Sequence, residues 1–251
     1  MLAIDHLTKE FGRKTAVDDL CLTVAEGELY GFLGPNGAGK TTTIKCTAGL
    51  LWPTRGRVTV GGHDVHAEPV AAKRLLSYVP DQPYLYEKLS GREFLYFVGR
   101  IYGLGREACA EGVERLLEMF DARDWADELA ENYSHGMRQK IVLSSALLHN
   151  PRLIVIDEPM VGLDPRSAKI VKTVLRERVA QGCAVLMSTH TLSVAEEVAD
   201  RVGIIHRGRI LTEGTVDELR QKASASERLE DIFLELTDEA AESSSVAEPT
   251  S

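Results

Sequence analysis

The chain has 251 residues, 44% of them hydrophobic and 27% charged, enough apolar mass for the core of one large domain or two modest ones. The formal charge is -9, but residues 223–251 hold eight acids and a single base, Arg228, so the first 222 residues (30 acids, 28 bases) net only -2. A near-neutral body with no basic stripe argues against a protein that coats nucleic acid. No apolar run approaches the ~18–20 residues that a membrane-spanning helix needs. The first residues, Met1 to His6, lack the basic and apolar regions of a secretory signal.

In chain order, apolar runs at Leu2–Leu7, Leu20–Val24 and Leu29–Leu33 predict an opening β region whose last strand runs into a glycine-rich turn. Arg57–Val60 before Gly61-Gly62 reads as an edge strand or hairpin arm. His63 and His66 have a spacing seen in metal ligands, yet they follow that turn without a third ligand nearby, and a solvated turn is expected. Ser90-Gly91-Arg92-Glu93 is a capping box ahead of the apolar stretch Phe94–Val98, and Val113, Leu116, Leu117 and Phe120 keep a helical period. Residues of about 88–150 are therefore expected to form a helical subdomain inserted between strands. The runs Leu153–Ile156, Ala184–Met187 and Val202–Ile205 are continuous rather than alternating, as buried parallel strands require. Leu229, Ile232, Phe233 and Leu236 form the stripe of a short amphipathic helix over 223–237, and 238–251 has the Ala/Glu/Ser composition of a disordered acidic tail. The four cysteines (Cys21, Cys46, Cys109, Cys183) are scattered without a CxxC pair and are expected to be reduced and structural.

Gly34-Pro35-Asn36-Gly37-Ala38-Gly39-Lys40-Thr41-Thr42 fits GxxxxGK[ST] between a strand and a helical stretch, Thr42–Gly49. Its glycines let successive backbone N–H groups face one anion at the positive end of the next helix. Lys40 supplies charge to the β- and γ-phosphates, and the Thr41 hydroxyl is a hard ligand for Mg²⁺. Further on, Leu153-Ile154-Val155-Ile156-Asp157-Glu158 sets two carboxylates at the C-terminal edge of a buried strand, where ligands of open α/β sheets collect. By itself an Asp-Glu pair there can be a turn with a helix cap. Behind a phosphate loop, Asp157 reads as a Mg²⁺ ligand and Glu158 as the carboxylate that polarises an attacking water. No Asn-Lys-x-Asp guanine-reading motif occurs in the chain.

With these motifs in hand, residues 2–222 resemble the nucleotide-binding subunit of ATP-binding cassette (ABC) transporters. Six motifs stand in that family's order: the aromatic Phe11, the phosphate loop, Asn132-Tyr133-Ser134-His135-Gly136-Met137-Arg138-Gln139 as the signature, residues 153–158, Gly162-Leu163-Asp164, and Ser188-Thr189-His190. The resemblance implies an α/β fold: a P-loop NTPase core with a mainly parallel sheet, an N-terminal antiparallel β region and the inserted helical subdomain. It implies a Mg²⁺-dependent ATPase with Glu158 and His190 as catalytic residues. ATP would be held by Phe11, residues 34–42, Ser134, Gly136 and Asp164, and Mg²⁺ by Thr41, Asp157 and Gln82. Two departures stand out. The usual Leu-Ser-Gly-Gly-Gln is Tyr133-Ser134-His135-Gly136-Met137, and aligning on Leu85-Tyr86 places Asp81 at the family's glutamine position, with Gln82 one later. Either residue offers an oxygen ligand.

The same resemblance implies a dimer, of identical or similar subunits, in which each signature caps ATP on the other copy. It also implies a separately encoded membrane permease, docked on the helical block around 80–135, and a place on the inner face of the cell membrane. Leu229–Leu236 resembles the ending of the branch that pairs with small export-type permeases. The competing readings are a non-transport ABC ATPase, which usually has two cassettes or a long coiled-coil insertion, and a non-catalytic ATP-binding module, which would not need Asp157, Glu158 and His190.

Overall fold

The computed structural model describes residues 1–222, so the expected helix over 223–237 and tail over 238–251 lie outside the described residues. The chain opens with β1 (Leu2–Phe11), β2 (Lys14–Val24) and β3 (Leu29–Leu33), then α1 (Lys40–Thr47), β4 (Arg55–Val60) and β5 (His63–Asp64). It continues through α2 (Pro69–Leu75), β6 (Leu76–Val79), α3 (Gly91–Ile101), α4 (Arg106–Met119) and α5 (His135–Leu148). Last come β7 (Leu153–Asp157), α6 (Pro165–Ala180), β8 (Ala184–Thr189), α7 (Leu192–Val198), β9 (Arg201–His206), β10 (Arg209–Gly214) and α8 (Val216–Lys222).

Two sheets result. One is antiparallel, in the order β2-β1-β4-β5; the other runs β10-β9-β3-β8-β7-β6, parallel from β9 to β6 with β10 antiparallel at its edge. The continuous apolar runs explain the second sheet. In β7, Leu153 and Val155 join the core shared with the antiparallel sheet and α1, while Ile154 and Ile156 join the core under the helices. In β8, Ala184 and Leu186 face the first core and Val185 and Met187 the second. Both faces are covered, so neither tolerates polar alternation. Arg57–Val60 belongs to the hairpin arm β4, an interior strand between β1 and β5 and not an edge. His63 pairs with Glu68 (3.1 Å) and His66 stacks on Trp52, so the two imidazoles do not converge on a metal.

The helical block is held by specific polar contacts as well as apolar ones. Ser90 Oγ accepts the Glu93 N–H (3.2 Å) and Glu93 returns a carboxylate oxygen to the Ser90 N–H (2.8 Å), the reciprocal pair its sequence predicts. The Tyr133 hydroxyl, 5% exposed in its residue, accepts the Gly91 N–H at 2.9 Å and lies within hydrogen-bond distance of the Ala126 carbonyl. A leucine there could not make these bonds, so Tyr133 fastens the segment ahead of α5 to the start of α3. Among the described residues no helix is long and apolar enough to cross a membrane.

Candidate functional site

Three strand ends create the site. Register pairs Asp157 of β7 with Ser188 of β8, and Leu33 of β3 with Thr189 of β8. The phosphate loop after β3, the carboxylates after β7 and His190 after β8 therefore emerge side by side at the C-terminal edge of the parallel sheet, where such sheets collect ligands.

The loop over 34–39 turns back under α1 by means of positive-φ glycines. Gly39 sits at φ 111°, and a Cβ there would stand 2.5 Å from the Ala16 carbonyl oxygen, so both its conformation and its neighbour exclude a side chain. Lys40 lies at the first turn of α1 with its side chain 6% exposed. Its Nζ donates to the carbonyls of Gly34 (2.7 Å) and Pro35 (3.2 Å) and stands 3.9 Å from Glu158 Oε1. Burial lowers the Lys40 pKa, while the carboxylates of Glu158 and Asp157 oppose that shift.

Asp157 is fully buried. Ser188 donates a short hydrogen bond to its Oδ1, whereas Oδ2 is buried without a protein partner. An orphaned carboxylate oxygen is costly unless something occupies it, and a hard cation is the natural occupant. Glu158, one residue on, turns out of the strand at φ 49°, a left-handed conformation uncommon for a side-chain-bearing residue and typical of functional turns. Its N–H donates to the Ser188 carbonyl (3.1 Å), and its Oε1 lies 2.8 Å from His190 Nδ1. Lys40, Glu158 and His190 thus form one linked cluster.

A cleft of about 310 Å³ opens above the loop, lined by Phe11, Lys14, Asn36, Gly37, Lys40, Thr41, Thr42, Asp81 and Glu158 among others. Phe11 is 48% exposed at the end of β1, with Lys9 Nζ 5.0 Å from its ring centroid. The structure puts Asp81, not Gln82, on the cleft wall; Gln82 is exposed and spends its N–H on the Asp81 carboxylate (2.9 Å). Of the two exposed candidates, the turn after β6 thus brings Asp81 and not Gln82 to the cleft wall.

Ser134, Gly136 and Asp164 are not among the residues lining that cleft. Ser134 caps α5, accepting the Met137 N–H at 3.3 Å and keeping its own proton to donate. Asp164 caps α6, accepting both the N–H (3.0 Å) and the hydroxyl (2.5 Å) of Ser167, and these bonds lower its pKa. The two caps belong to touching segments. Gly162, at φ 75°, lies so close to His135 that a Cβ would stand 2.3 Å from the imidazole Cδ2. Gly136 also faces the Gly162 carbonyl. His135 of the unusual signature therefore rests on the loop before α6 of its own chain.

The ABC transporter family profile matches residues 17–161, more than half of the chain. The chain belongs to the ABC transporter family. It is an ATP-binding and ATP-hydrolysing subunit of that family, and the fold carries the family's cassette. It is 38% identical over 234 residues to the daunorubicin resistance ATP-binding protein DrrA3 of Streptomyces coeruleorubidus, covering 93% of this chain and 74% of that one. It is 35% identical over 219 residues to the linearmycin resistance ATP-binding protein LnrL of Bacillus subtilis, covering 87% and 70%. A solved ATP-binding subunit of an ABC transporter superposes with a TM-score of 0.89 at 34% identity, over 94% of this chain and 99% of that one. The cassette MJ0796, solved as a dimer with ADP and Pi, superposes at 0.79 over 86% and 98%; at 23% identity that likeness concerns the fold alone.

Sequence reasoning missed several residues of this ABC ATPase. Ser188 was visible only as part of Ser188-Thr189-His190, and its bond to Asp157 depends on the β7–β8 register. Lys14 reaches the cleft from β2 and has no motif of its own. The His135–Gly162 contact joins residues 27 apart that no periodicity connects.

Proposed function

We propose that this subunit powers an exporter through ATP-driven closure of a dimer with two shared sites. The observation that carries the reading is the Lys40–Glu158–His190 cluster, at 3.9 and 2.8 Å, directly beside a buried Asp157 oxygen that has no partner. Phe11 would stack on the base, and the N–H groups and lysine of residues 34–42 would hold the phosphates. The Asp157 carboxylate and the Thr41 hydroxyl fit Mg²⁺, which would neutralise phosphate charge when bound. Asp81 is the better candidate than Gln82 for the third oxygen, since it lines the cleft.

Glu158 accepts a proton from water as the water oxygen bonds to the γ-phosphorus. The γ-phosphorus–oxygen bond to ADP breaks, and Lys40 and His190 face the charge that develops. Ser134, Gly136 and Asp164 lie off their own chain's cleft, which supports their serving a second copy, with Ser134 free to donate its hydroxyl proton to the partner's nucleotide. ATP then favours the closed dimer because only there does the γ-phosphate bridge two subunits, and its loss reopens the interface.

The permease would dock on the helical block and sit at the inner face of the cell membrane with this subunit. Tyr84 (73% exposed) contacts Tyr86, and Tyr86 contacts Phe94 and Phe97, which builds an exposed aromatic surface there. Export rather than import is supported by the drug-resistance relatives. Ser134→Ala should still bind ATP but fail to dimerise with it, read by size-exclusion light scattering on a Glu158→Gln background. Dimerisation equal to that of the Glu158→Gln parent would refute the shared site. Co-purification of a permease with the wild-type subunit, lost on Tyr86→Glu, tests the docking face.

A further inference from the structure

Away from the nucleotide cleft, β1 and β2 depart from regular pairing at one place. Ile4 pairs with Leu22 and Leu7 with Leu20, so Asp5 and His6 together face the single residue Cys21. His6 takes φ 50° and Asp19 φ 52°, both left-handed although neither is glycine. In an unbroken strand Asp5 and His6 would point to opposite faces; the bulge aims both toward Cys21. Left-handed side-chain-bearing residues at a bulge are the kind of local strain that clusters at binding sites.

We propose that Asp5, His6 and Cys21 form a binding site for a thiophilic divalent cation of the Zn²⁺ class. One ligand atom from each residue lies within 4.8 Å of the other two. A tetrahedral Zn²⁺ with ligand distances of roughly 2.0–2.3 Å needs donors about 3.3–3.8 Å apart, so small rotations of three exposed side chains close the site. Each donor is already oriented. Asp19 Oδ1 holds His6 Nδ1 at 2.8 Å, which leaves Nε2 as the free donor, 4.0 Å from Asp5 Oδ1. Arg57 Nε donates to the other Asp5 oxygen at 3.1 Å, so Oδ1 is the one left for a metal. The His6 backbone N–H donates to Cys21 Sγ at 3.3 Å, which fixes the sulfur beside the other two donors.

A carboxylate behind the distal histidine nitrogen is the arrangement that fixes tautomer and orientation in protein zinc sites. The donor set of thiolate, imidazole and carboxylate selects Zn²⁺ or its neighbours over the hard Mg²⁺ that suits the nucleotide cleft. Asp5 and Cys21 also open onto a cleft of about 680 Å³, which leaves room for water or a further ligand in the fourth position.

Co²⁺ titration of the reduced full-length protein, without nucleotide, tests this site. Cys21 is the exposed one of the four cysteines, the other three being buried, so a thiolate-to-cobalt charge-transfer band reports this site and not binding at Asp157 or His190. The expected result is one Co²⁺ per chain with that band, displaced by Zn²⁺. Cys21→Ser should abolish the band, and Asp19→Asn should weaken binding about tenfold through the histidine. Thermal melts of both variants check that the fold is kept. No band in the wild type, or a band that survives Cys21→Ser, overturns the proposal. So does unchanged affinity in a folded His6→Ala variant.

Discussion

Replacing Glu158 by glutamine keeps the shape of the side chain and removes its charge and basicity. Two consequences of opposite sign follow from its geometry. As the base for the attacking water it lies 2.8 Å from His190 and faces the cleft. Losing a positioned general base typically costs 10²–10⁴-fold, or about 3–5 kcal/mol of barrier. Its carboxylate is also the anion nearest Lys40, at 3.9 Å, with only 14% of the Glu158 side chain exposed. At an effective dielectric of 20 that attraction is of order 4 kcal/mol, and the phosphates of ATP must compete with it for the same ammonium.

The variant should therefore bind ATP at least as tightly as wild type, with a gain of about three- to thirtyfold once solvent screening is allowed for. It should turn over at least a hundredfold more slowly. Titration with a fluorescent ATP analogue reads the binding, and phosphate release under single-turnover conditions reads the turnover. Turnover within threefold of wild type would refute the role of Glu158. Binding weakened tenfold would refute the competition between Glu158 and phosphate for Lys40.

His149, at the end of α5, stacks on Tyr102 with ring centroids 3.6 Å apart, and burial lowers its pKa from 6.5 to about 4. The unfolded chain then binds the extra proton between pH 6.5 and 4, so stability falls as the pH drops through that window. The shift is worth about 2 kcal/mol after discounting for solvent screening. Urea melts at pH 7 and pH 4.5 should show the loss in wild type and not in His149→Phe; equal slopes in the two proteins would sink the argument. Gly162→Ala should lower ATPase activity and cost about 1–3 kcal/mol of stability, since its Cβ meets His135 at 2.3 Å and φ is 75°. Adding His135→Gly should recover part of both losses, and a double variant no better than Gly162→Ala alone would show that the contact does not matter.

Much of this molecule was legible from local chemistry. The runs Leu153–Ile156, Ala184–Met187 and Val202–Ile205 became parallel strands of the second sheet because a strand buried on both faces cannot alternate. Ser90-Gly91-Arg92-Glu93 became a capped helix start because its bonds span only three residues. The edge strands were harder. Leu76–Val79 is four residues long and follows α2 without a break, so no pattern separates it from its neighbours, and only pairing with β7 makes it a strand. Asp81 and Gln82 were indistinguishable as oxygen donors until the turn after β6 placed Asp81, and not Gln82, on the cleft wall.

The opening charge imbalance marks the same division. Composition confines seven of the nine excess negative charges to residues 223–251 and leaves a near-neutral body, and the order of six motifs within that body is enough to indicate an ABC ATPase. What the sequence by itself determined are properties carried by adjacent residues: the phosphate loop, the paired carboxylates, the helix caps and the buried strands. Only the tertiary structure decided which distant residues meet. Strand register sets Ser188 against Asp157 and His190 against Glu158, a bulge turns Asp5 and His6 toward Cys21, and a loop carries Gly162 under His135. Such contacts follow from packing of the whole chain, whose energy no short window of sequence contains.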